Sequence, residues 1–173
     1  GATAQLVKDG VDANPEIMIP LVGSLNEFSH QKSVIEKCAN KIEHITNTKL
    51  NYKVGTMIEL PRACLTAGEI AQSADFFSFG TNDLTQTTFG FSRDDVSNVL
   101  NDYIENNIIY QDPFQSLDVG GVGRLIEIAV KEARKVNPEI KIGICGEHGG
   151  DPQSIDFFKK QDFNYISCSP FRI

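Results

Sequence analysis

Four side chains that could do chemistry follow directly after apolar runs in this sequence. They are Glu59 in GTMIEL, Asn82 and Asp83 in SFGTND, and Cys145 in GICGEHGG. Carboxylates are the oxygen ligands that Mg²⁺ prefers, an amide can donate hydrogen bonds to an oxygen that gains negative charge, and a thiol can exchange a proton. If the three stretches meet in space, they predict a metal site beside a proton donor.

Each of these residues also has an ordinary structural interpretation. A carboxylate at a strand end can cap the next helix or pair with a cation such as Lys53 or Arg62, and Asn82 can simply form a turn. In parallel α/β folds, however, ligands bind beyond the carboxyl ends of the strands. Because two acids follow consecutive strands, we favour Glu59 and Asp83 as Mg²⁺ ligands, with substrate oxygens and water completing the shell.

Gly80 and Cys145 extend this hypothesis. Gly80 lacks a Cβ, which lets the chain turn sharply and lets backbone N–H groups approach an anion. The Cys145 thiol, with an ordinary pKa of about 8.5, is suited to protonating an enolate carbon. Nucleophilic catalysis with His148 as base is the rival chemistry, although residues three apart across a glycine-rich turn need not face each other. His148 alone is more often a hydrogen-bonding partner that stabilises its loop.

The elements that must position these residues alternate between short apolar runs and helical patterns, which predicts a parallel sheet with crossover helices. The predicted strands cover residues 16–22, 53–59, 75–79, 141–145 and 164–168. Five strands are too few to close an eight-stranded barrel. The first fifteen residues also read as the end of a helix without its preceding strand. We therefore expect a partial domain.

Local signals predict where the helices begin. Ser24 with Glu27 three residues later is a capping-box pattern, and Asp151 followed by Pro152 fits an N-cap and first helical position. Residues 122–136 carry apolar side chains at helical spacing. The segment 87–118 breaks the alternation, since links usually have about two to six residues. It predicts a lid, a partner surface or an inserted substructure, or else a segment that merely caps the sheet.

Composition limits the partners. A formal net charge of −7 argues against sequence-independent binding of nucleic acid. No apolar run is long enough to cross a bilayer, so we expect a soluble, cytoplasmic protein without a membrane partner. The four cysteines lack metal or redox spacing, which predicts free thiols in a reducing compartment. Apolar neighbours predict that Cys38, Cys64 and Cys168 are buried.

Together these motifs resemble the C-terminal phosphoenolpyruvate-binding domain of the pyruvate, phosphate dikinase family. The likeness covers almost the whole chain and is carried by PEIMIPLVGSLNEF, VGTMIELPRA, FFSFGTNDLTQTTFGFSRDD, GVGRLIEIAVKEARK, GICGEHGGDP and NYISCSPFRI. Phosphoenolpyruvate synthase and the first enzyme of the sugar phosphotransferase system share the GTNDLTQ-like and CGE-like cores, so both relatives remain alternatives.

The resemblance implies a (β/α)₈ TIM-type barrel, of which residues 1–173 would hold the C-terminal part. It also implies phosphoryl transfer between a phosphohistidine and pyruvate enolate, with Mg²⁺ as cofactor. The residues implied are Glu59 and Asp83 as metal ligands, Glu59, Gly80, Thr81, Asn82, Asp83 and Tyr165 as substrate contacts, and Asn82 and Cys145 as catalytic residues, with Cys145 donating a proton to the methylene carbon.

The implied partners are phosphoenolpyruvate or pyruvate, a swivelling phosphohistidine domain of the same parent chain, and a second copy in a homodimer. Neither that domain nor an ATP-grasp domain is found in this sequence, so we expect the segment alone to lack turnover. Arg62 and Arg93 do not match the arginines that hold the phosphoryl group in this family, and we expect both at the surface or at a helix end. A non-catalytic assembly module, with residues 87–118 as a subunit interface, is the alternative from a different class.

Overall fold

The computed structural model describes residues 1–91 and 96–170. Within them, five parallel strands form one open sheet, and their order in space follows their order in the chain. The strands are β1 Glu16–Ile19, β2 Lys53–Ile58, β3 Phe76–Gly80, β4 Lys141–Cys145 and β5 Tyr165–Ser167. A doubly wound sheet reverses its strand order, whereas a barrel adds each strand beside the previous one. The sheet is therefore part of a TIM-type barrel, as predicted.

Helices connect these strands on one side of the sheet. They are α1 Ala2–Lys8, α2 Leu25–Thr46, α3 Pro61–Leu65, α4 Ala67–Ile70, α5 Thr81–Phe89, α6 Val96–Glu105, α7 Arg124–Val136 and α8 Pro152–Lys160, with a π-helical turn at Val119–Gly123 and a 3₁₀ turn at Glu147–Gly150. No helix in the described part of the chain is both long enough and apolar enough to cross a membrane.

The predicted helix starts are confirmed. Ser24 caps α2, where its Oγ accepts a hydrogen bond from the N–H of Glu27 at 3.3 Å, and the Glu27 carboxylate accepts one from the N–H of Gly23 at 2.8 Å. Asp151 caps α8 through the N–H of Ser154 at 2.9 Å. Such caps satisfy backbone donors within a few residues, which is why a local sequence pattern can predict them.

The core lies between the sheet and the helices α3, α4, α7 and α8. Alternate strand residues point into it because successive side chains of a strand face opposite sides of the sheet. The fully buried members from the central strands are Ile58, Phe77, Phe79, Ile142 and Ile144. The predicted apolar stripe of α7 is buried at Ile126, Ala129, Val130 and Ala133. The opposite face of the sheet carries Ser78, Gly80 and Cys145 together with the apolar side chains of Met57 and Phe76.

One prediction about α2 is wrong. Cys38 was expected to be buried, but it is exposed, and Val34 and Ile45 on the same helix are 45% and 66% exposed. The reason is position, since Cys38 and Val34 border an open groove beside Ile17 of the edge strand β1. Cys64 is buried as predicted, Cys168 is half-buried, and all four cysteines are free thiols.

The segment 87–118 begins inside α5, which continues to Phe89, and it then contains α6. Its last part is tied to the start of α8, because Ser116 Oγ donates to Asp151 at 2.8 Å and the N–H of Leu117 donates to Ser154 Oγ at 2.9 Å. Residues 112–118 are therefore bound to the body of the fold. Arg93 lies outside the described residues, and Arg62 lies exposed in α3, as expected.

Candidate active site

The three strand ends singled out in the sequence lie side by side. Strands β2 and β3 pair up to Ile58 and Phe79, so Glu59 and Gly80 are the next neighbours along the two chains. Gly80 is in turn the register partner of Cys145 in β4. Because all three strands are parallel, their carboxyl ends share one edge of the sheet. The sheet thus brings the Glu59 carboxylate, the backbone of Gly80 and the Cys145 thiol into one row.

Glu59 is almost completely buried, at 2% exposure, and its Oε1 accepts a hydrogen bond from the N–H of Leu21 at 2.7 Å. Burial raises the pKa of Glu59, the Leu21 hydrogen bond opposes this, and the charge of Asp83 and a side-chain hydrogen bond with it raise the pKa further. The two predicted metal ligands are therefore neighbours. Two carboxylates this close repel each other when both are ionised.

Gly80 leaves room beside this pair. A Cβ at this position would lie 2.6 Å from Sδ of Met57 and 2.7 Å from Oε2 of Glu59. The φ of Gly80 is −85°, which any residue can adopt, so the requirement for glycine is one of space. The missing side chain keeps one face of the Glu59 carboxylate open.

The donor set fits Mg²⁺. This ion commonly takes one or two protein carboxylates and completes its octahedron with water and substrate oxygens. Across residues 1–91 and 96–170 no group of three or more His, Cys, Asp or Glu side chains is arranged to hold a metal. A cage made only by protein is therefore absent there, whereas the pair Glu59 and Asp83 matches the smaller set. The two carboxylates repel each other when ionised, and a divalent cation bound between them would offset that repulsion.

Asn82 lies in the first turn of α5, so it is a helical residue and not the turn former that was an alternative. Its Oδ1 accepts a hydrogen bond from the backbone N–H of Glu147 at 3.1 Å. A backbone N–H can only donate, and this contact therefore fixes which end of the amide is the oxygen. The Asn82 amide nitrogen, with its two donors, lies on the other side.

Cys145 is half-buried, and its Sγ lies 3.5 Å from the Oγ of Ser78 and 3.7 Å from the carbonyl oxygen of Phe79. Burial raises the pKa of the Cys145 thiol, the Ser78 hydroxyl lowers it, and the charges of Glu59 and Asp83 raise it. The net direction is upward, so the thiol keeps its proton at neutral pH. That state suits an acid better than a nucleophile, whose reactive form is the thiolate.

His148 does not provide the base that nucleophilic catalysis would need. Its ring is fully buried, with Nδ1 2.8 Å from Oγ1 of Thr81 and Nε2 2.8 Å from the carbonyl oxygen of Pro113. The interpretation of His148 as a hydrogen-bonding partner is the one that the geometry supports. Thr81 is also fully buried, and its hydroxyl contacts His148. Only its backbone N–H, in the first turn of α5, can therefore donate a hydrogen bond to a ligand.

Tyr165 lies on the same face of the sheet, deeper along the strands. Its ring covers Gly143 so closely that an added Cβ would overlap it, and Nζ of Lys141 lies 4.9 Å from the ring centre. Burial raises the pKa of Tyr165, and a hydrogen bond with Ser78 lowers it. Lys141 also forms an ion pair with Glu16 of β1 at 2.9 Å, across the inner face of the sheet.

Sequence reasoning missed Ser78. It was taken as part of an apolar strand, yet its hydroxyl contacts both Cys145 and Tyr165 from a buried position. A signal was present, since Ser78 is the one hydroxyl residue within FFSFG and stands two residues before Gly80. That spacing puts it on the same face of β3 as the site.

Comparison with known proteins identifies the class to which this fold and site belong. Residues 3–173 match the family model described as PEP-utilising enzyme, PEP-binding domain, and the chain belongs to this family. It is 54% identical to the chloroplastic pyruvate, phosphate dikinase of Mesembryanthemum crystallinum over 172 residues, which are 99% of this chain and 18% of that protein. It is also 54% identical to the pyruvate, phosphate dikinase of Clostridium symbiosum over 164 residues, which are 95% of this chain and 19% of that protein.

A third relative, pyruvate, phosphate dikinase 2 of Zea mays, is 52% identical over 99% of this chain and 20% of that protein. The chain thus spans about a fifth of the length of these curated relatives. Among solved structures, the citrate synthase SbnG matches with a TM-score of 0.53 and 14% identity, over 96% of this chain and 59% of that one. At that identity the likeness concerns the fold alone.

Proposed function

We propose that this chain forms the phosphoenolpyruvate- and pyruvate-binding site of a pyruvate, phosphate dikinase. The observation that carries the proposal is the row at the sheet edge, in which the buried carboxylate of Glu59, with the half-buried Asp83 beside it, and a protonated thiol flank Gly80. The identity to named dikinases over almost the whole chain supports this member of the family over its relatives. Phosphoenolpyruvate synthase and the phosphotransferase-system enzyme remain the alternatives.

Glu59 and Asp83 would hold Mg²⁺ in this site. When bound, the ion supplies positive charge that stabilises a pyruvate enolate and orients the substrate. The chain's own contribution is to keep the pair in place, since the N–H of Leu21 holds Oε1 of Glu59 while Gly80 leaves space beside Oε2.

Cys145 would move the proton. When pyruvate is phosphorylated, the Cys145 thiol first gives its proton to solvent; the thiolate then takes a proton from the methyl carbon, the enolate oxygen bonds to phosphorus, and the bond between phosphorus and the histidine nitrogen breaks. In the other direction the thiol returns that proton to the methylene carbon. A raised pKa makes Cys145 a strong base once it is ionised and keeps it protonated otherwise.

Asn82 and the start of α5 would bind the substrate's oxygens. The side-chain amide nitrogen of Asn82 can donate to an oxygen that gains charge, and the first N–H groups of a helix have no partner within the helix. Glu147 holds the oxygen end of that amide, which leaves its donors oriented before substrate arrives. Such preorganisation is what stabilises charge in a transition state.

Binding of oxalate, an analogue of pyruvate enolate, tests the metal assignment. Calorimetry on the full-length protein should show oxalate binding that requires Mg²⁺ and that Glu59→Gln and Asp83→Asn each weaken by about tenfold or more. Glu69→Gln on α4 changes an exposed acid and serves as the matched control. Unchanged Mg²⁺-dependent affinity in both site variants would refute the metal assignment.

Turnover of the whole protein is part of the same proposal. Its partner would be a phosphohistidine domain of the parent chain, and residues 1–173 alone should not make phosphoenolpyruvate from pyruvate, ATP and phosphate. Production of phosphoenolpyruvate by this segment on its own would contradict that expectation.

A second candidate function is assembly. Ile108, Tyr110 and Val119 are 61%, 93% and 49% exposed, and they line one cavity of about 450 Å³ in and beside the segment 87–118. Exposed apolar residues that cluster in this way are typical of interfaces. We propose that this surface joins two copies in a homodimer. Sedimentation should show association that Tyr110→Ser weakens, and a strictly monomeric full-length protein would exclude the role.

A further inference from the structure

His148 is a buried polar side chain that the proposed chemistry does not use. A histidine in such a position costs free energy unless both ring nitrogens find partners. Here both do, since Nδ1 lies 2.8 Å from the Thr81 hydroxyl oxygen and Nε2 lies 2.8 Å from the Pro113 carbonyl oxygen. The ring therefore joins α5 to the segment 87–118.

These two contacts define the tautomer. The carbonyl oxygen of Pro113 can only accept, so Nε2 must carry the hydrogen. Burial lowers the pKa of His148, more than the Pro113 contact and the charges of Asp151, Asp112 and Glu147 raise it, so the ring is neutral. Nδ1 then has a lone pair and accepts the hydrogen bond of the Thr81 hydroxyl.

Thr81 connects the His148 ring to the proposed site. It is the first residue of α5, directly before Asn82 and Asp83, and its Oγ1 also lies 3.4 Å from the carbonyl oxygen of Cys145. The Thr81 hydroxyl therefore lies between the His148 ring and the backbone of Cys145, the proposed acid. The hydroxyl has one hydrogen, which the shorter contact with His148 takes, so its contact with Cys145 is one of packing.

The loop after β4 is fitted closely to this turn of α5. Gly146 has φ +123°, and a Cβ there would lie 2.7 Å from Oγ1 of Thr81 and 3.1 Å from Oδ1 of Asn82. The next residue, Glu147, donates its backbone N–H to the same Oδ1 at 3.1 Å. A small displacement of Thr81 therefore also changes the position of Asn82, since Gly146 packs against both residues.

On its other side His148 holds Pro113, which belongs to the segment tied to α8 through Ser116 and Asp151 at 2.8 Å. The ring is thus the central member of a chain of contacts that runs from residues 112–118 to the strand ends. Loss of the ring would remove the direct link between Pro113 and Thr81, while Ser116 and Leu117 would still hold the segment to α8.

We propose that His148 is a positioning residue, which sets the Thr81 hydroxyl and with it the orientation of Asn82 relative to Cys145. The role rests on the proposed function, because Asn82 and Cys145 act on the substrate only if that proposal holds. His148 itself does not touch the reacting atoms.

Two substitutions at position 148 test the hydrogen bonds to Thr81 and to Pro113 separately. His148→Asn keeps an acceptor near the position of Nδ1 and loses the donor to Pro113, whereas His148→Gln keeps a donor near Nε2 and loses the acceptor for Thr81. We expect His148→Gln to lower the kcat of solvent-proton exchange into pyruvate by about tenfold to a hundredfold, since displacements of about 1 Å cost rates of this order. His148→Asn should lower it less, although both variants lose stability.

Thr81→Val completes the test, because it removes the hydroxyl and keeps the shape. If His148 acts through Thr81, His148→Gln and Thr81→Val lower kcat by similar factors, and the double variant is little worse than either. Ser116→Ala is the matched control, since it breaks another link of the same segment; we expect a lower unfolding midpoint and an unchanged kcat.

A second readout is independent of activity. The ¹⁵N spectrum of histidine-labelled full-length protein should contain a neutral ring protonated at Nε2 that is missing from the spectrum of His148→Gln, and Thr81→Val should shift its Nδ1 resonance. Absence of that signal, or wild-type kcat in His148→Gln, overturns the positioning role. No proton exchange in the wild-type protein refutes the proposed function, and with it any positioning role in it.

Discussion

Gly80 and Glu59 pack so closely that a Cβ on Gly80 would lie 2.7 Å from Oε2 and 2.9 Å from Cβ of Glu59. The space at the centre of the site is therefore created by an absent side chain. Because Glu59 is buried and held from behind by the N–H of Leu21, it cannot move away without losing that hydrogen bond.

Gly80→Ala is the first prediction. The added methyl group must displace the Glu59 carboxylate or Sδ of Met57, and overpacking of this kind typically destabilises by about 1–3 kcal/mol. We expect Mg²⁺-dependent oxalate binding to be lost in calorimetry while the circular dichroism of the fold persists. Gly120→Ala is the control, since its Cβ would meet only Asp118 at 3.6 Å. Wild-type affinity in Gly80→Ala would contradict the close packing of Gly80 against Glu59 and Met57.

Asn82→Asp tests the role of the amide nitrogen. The variant keeps an oxygen that can accept from the N–H of Glu147, but it replaces the donor side of Asn82 with a second acceptor. Removal of one preorganised donor costs about 10²–10³ in kcat in comparable sites, and we expect a fall of that order in stopped-flow assays of the pyruvate half-reaction. A loss confined to stability, with kcat unchanged, would make Asn82 a structural residue only.

His148 predicts a pH dependence of folding. Burial lowers its pKa below the ordinary value of 6.5, so the unfolded chain binds this proton more readily than the folded one. The stability that this group contributes is therefore present above pH 6.5 and is lost as the pH falls from there towards the lower folded-state pKa. Urea unfolding between about pH 5 and 7.5 should show this slope in the wild type, and His148→Gln should flatten it.

The control for that slope is His30→Gln, which changes an exposed histidine of α2. A slope that is kept in His30→Gln and lost in His148→Gln would belong to the buried ring. An equal slope in His148→Gln and the wild type would show that the buried ring does not resist protonation.

The sequence predicted the strands and the row at their ends for a physical reason. Apolar runs that alternate with helical patterns form parallel strands, and the carboxyl ends of parallel strands share an edge. Glu59 and Cys145 therefore needed no knowledge of tertiary contacts to be placed together. Helix caps at Ser24 and Asp151 were predictable for a similar reason, since their partners lie within three residues.

What the sequence could not supply depends on contacts between distant segments. The direction of the Thr81 hydroxyl is set by His148, which lies 67 positions further along the chain, and the exposure of Cys38 is set by the place of α2 at the sheet edge. Ser78 was hidden by its apolar neighbours, although its spacing from Gly80 placed it on the correct face. Periodicity assigns a face, but only packing assigns a partner.

The central claim is that Cys145 and the carboxylates of Glu59 and Asp83 act on one substrate. Its most direct test is exchange of solvent deuterium into the methyl group of pyruvate, followed by proton NMR with the full-length protein and Mg²⁺. We predict exchange in the wild type and in Cys168→Ala, and its loss in Cys145→Ala and Glu59→Gln. Full exchange in Cys145→Ala would contradict the claim.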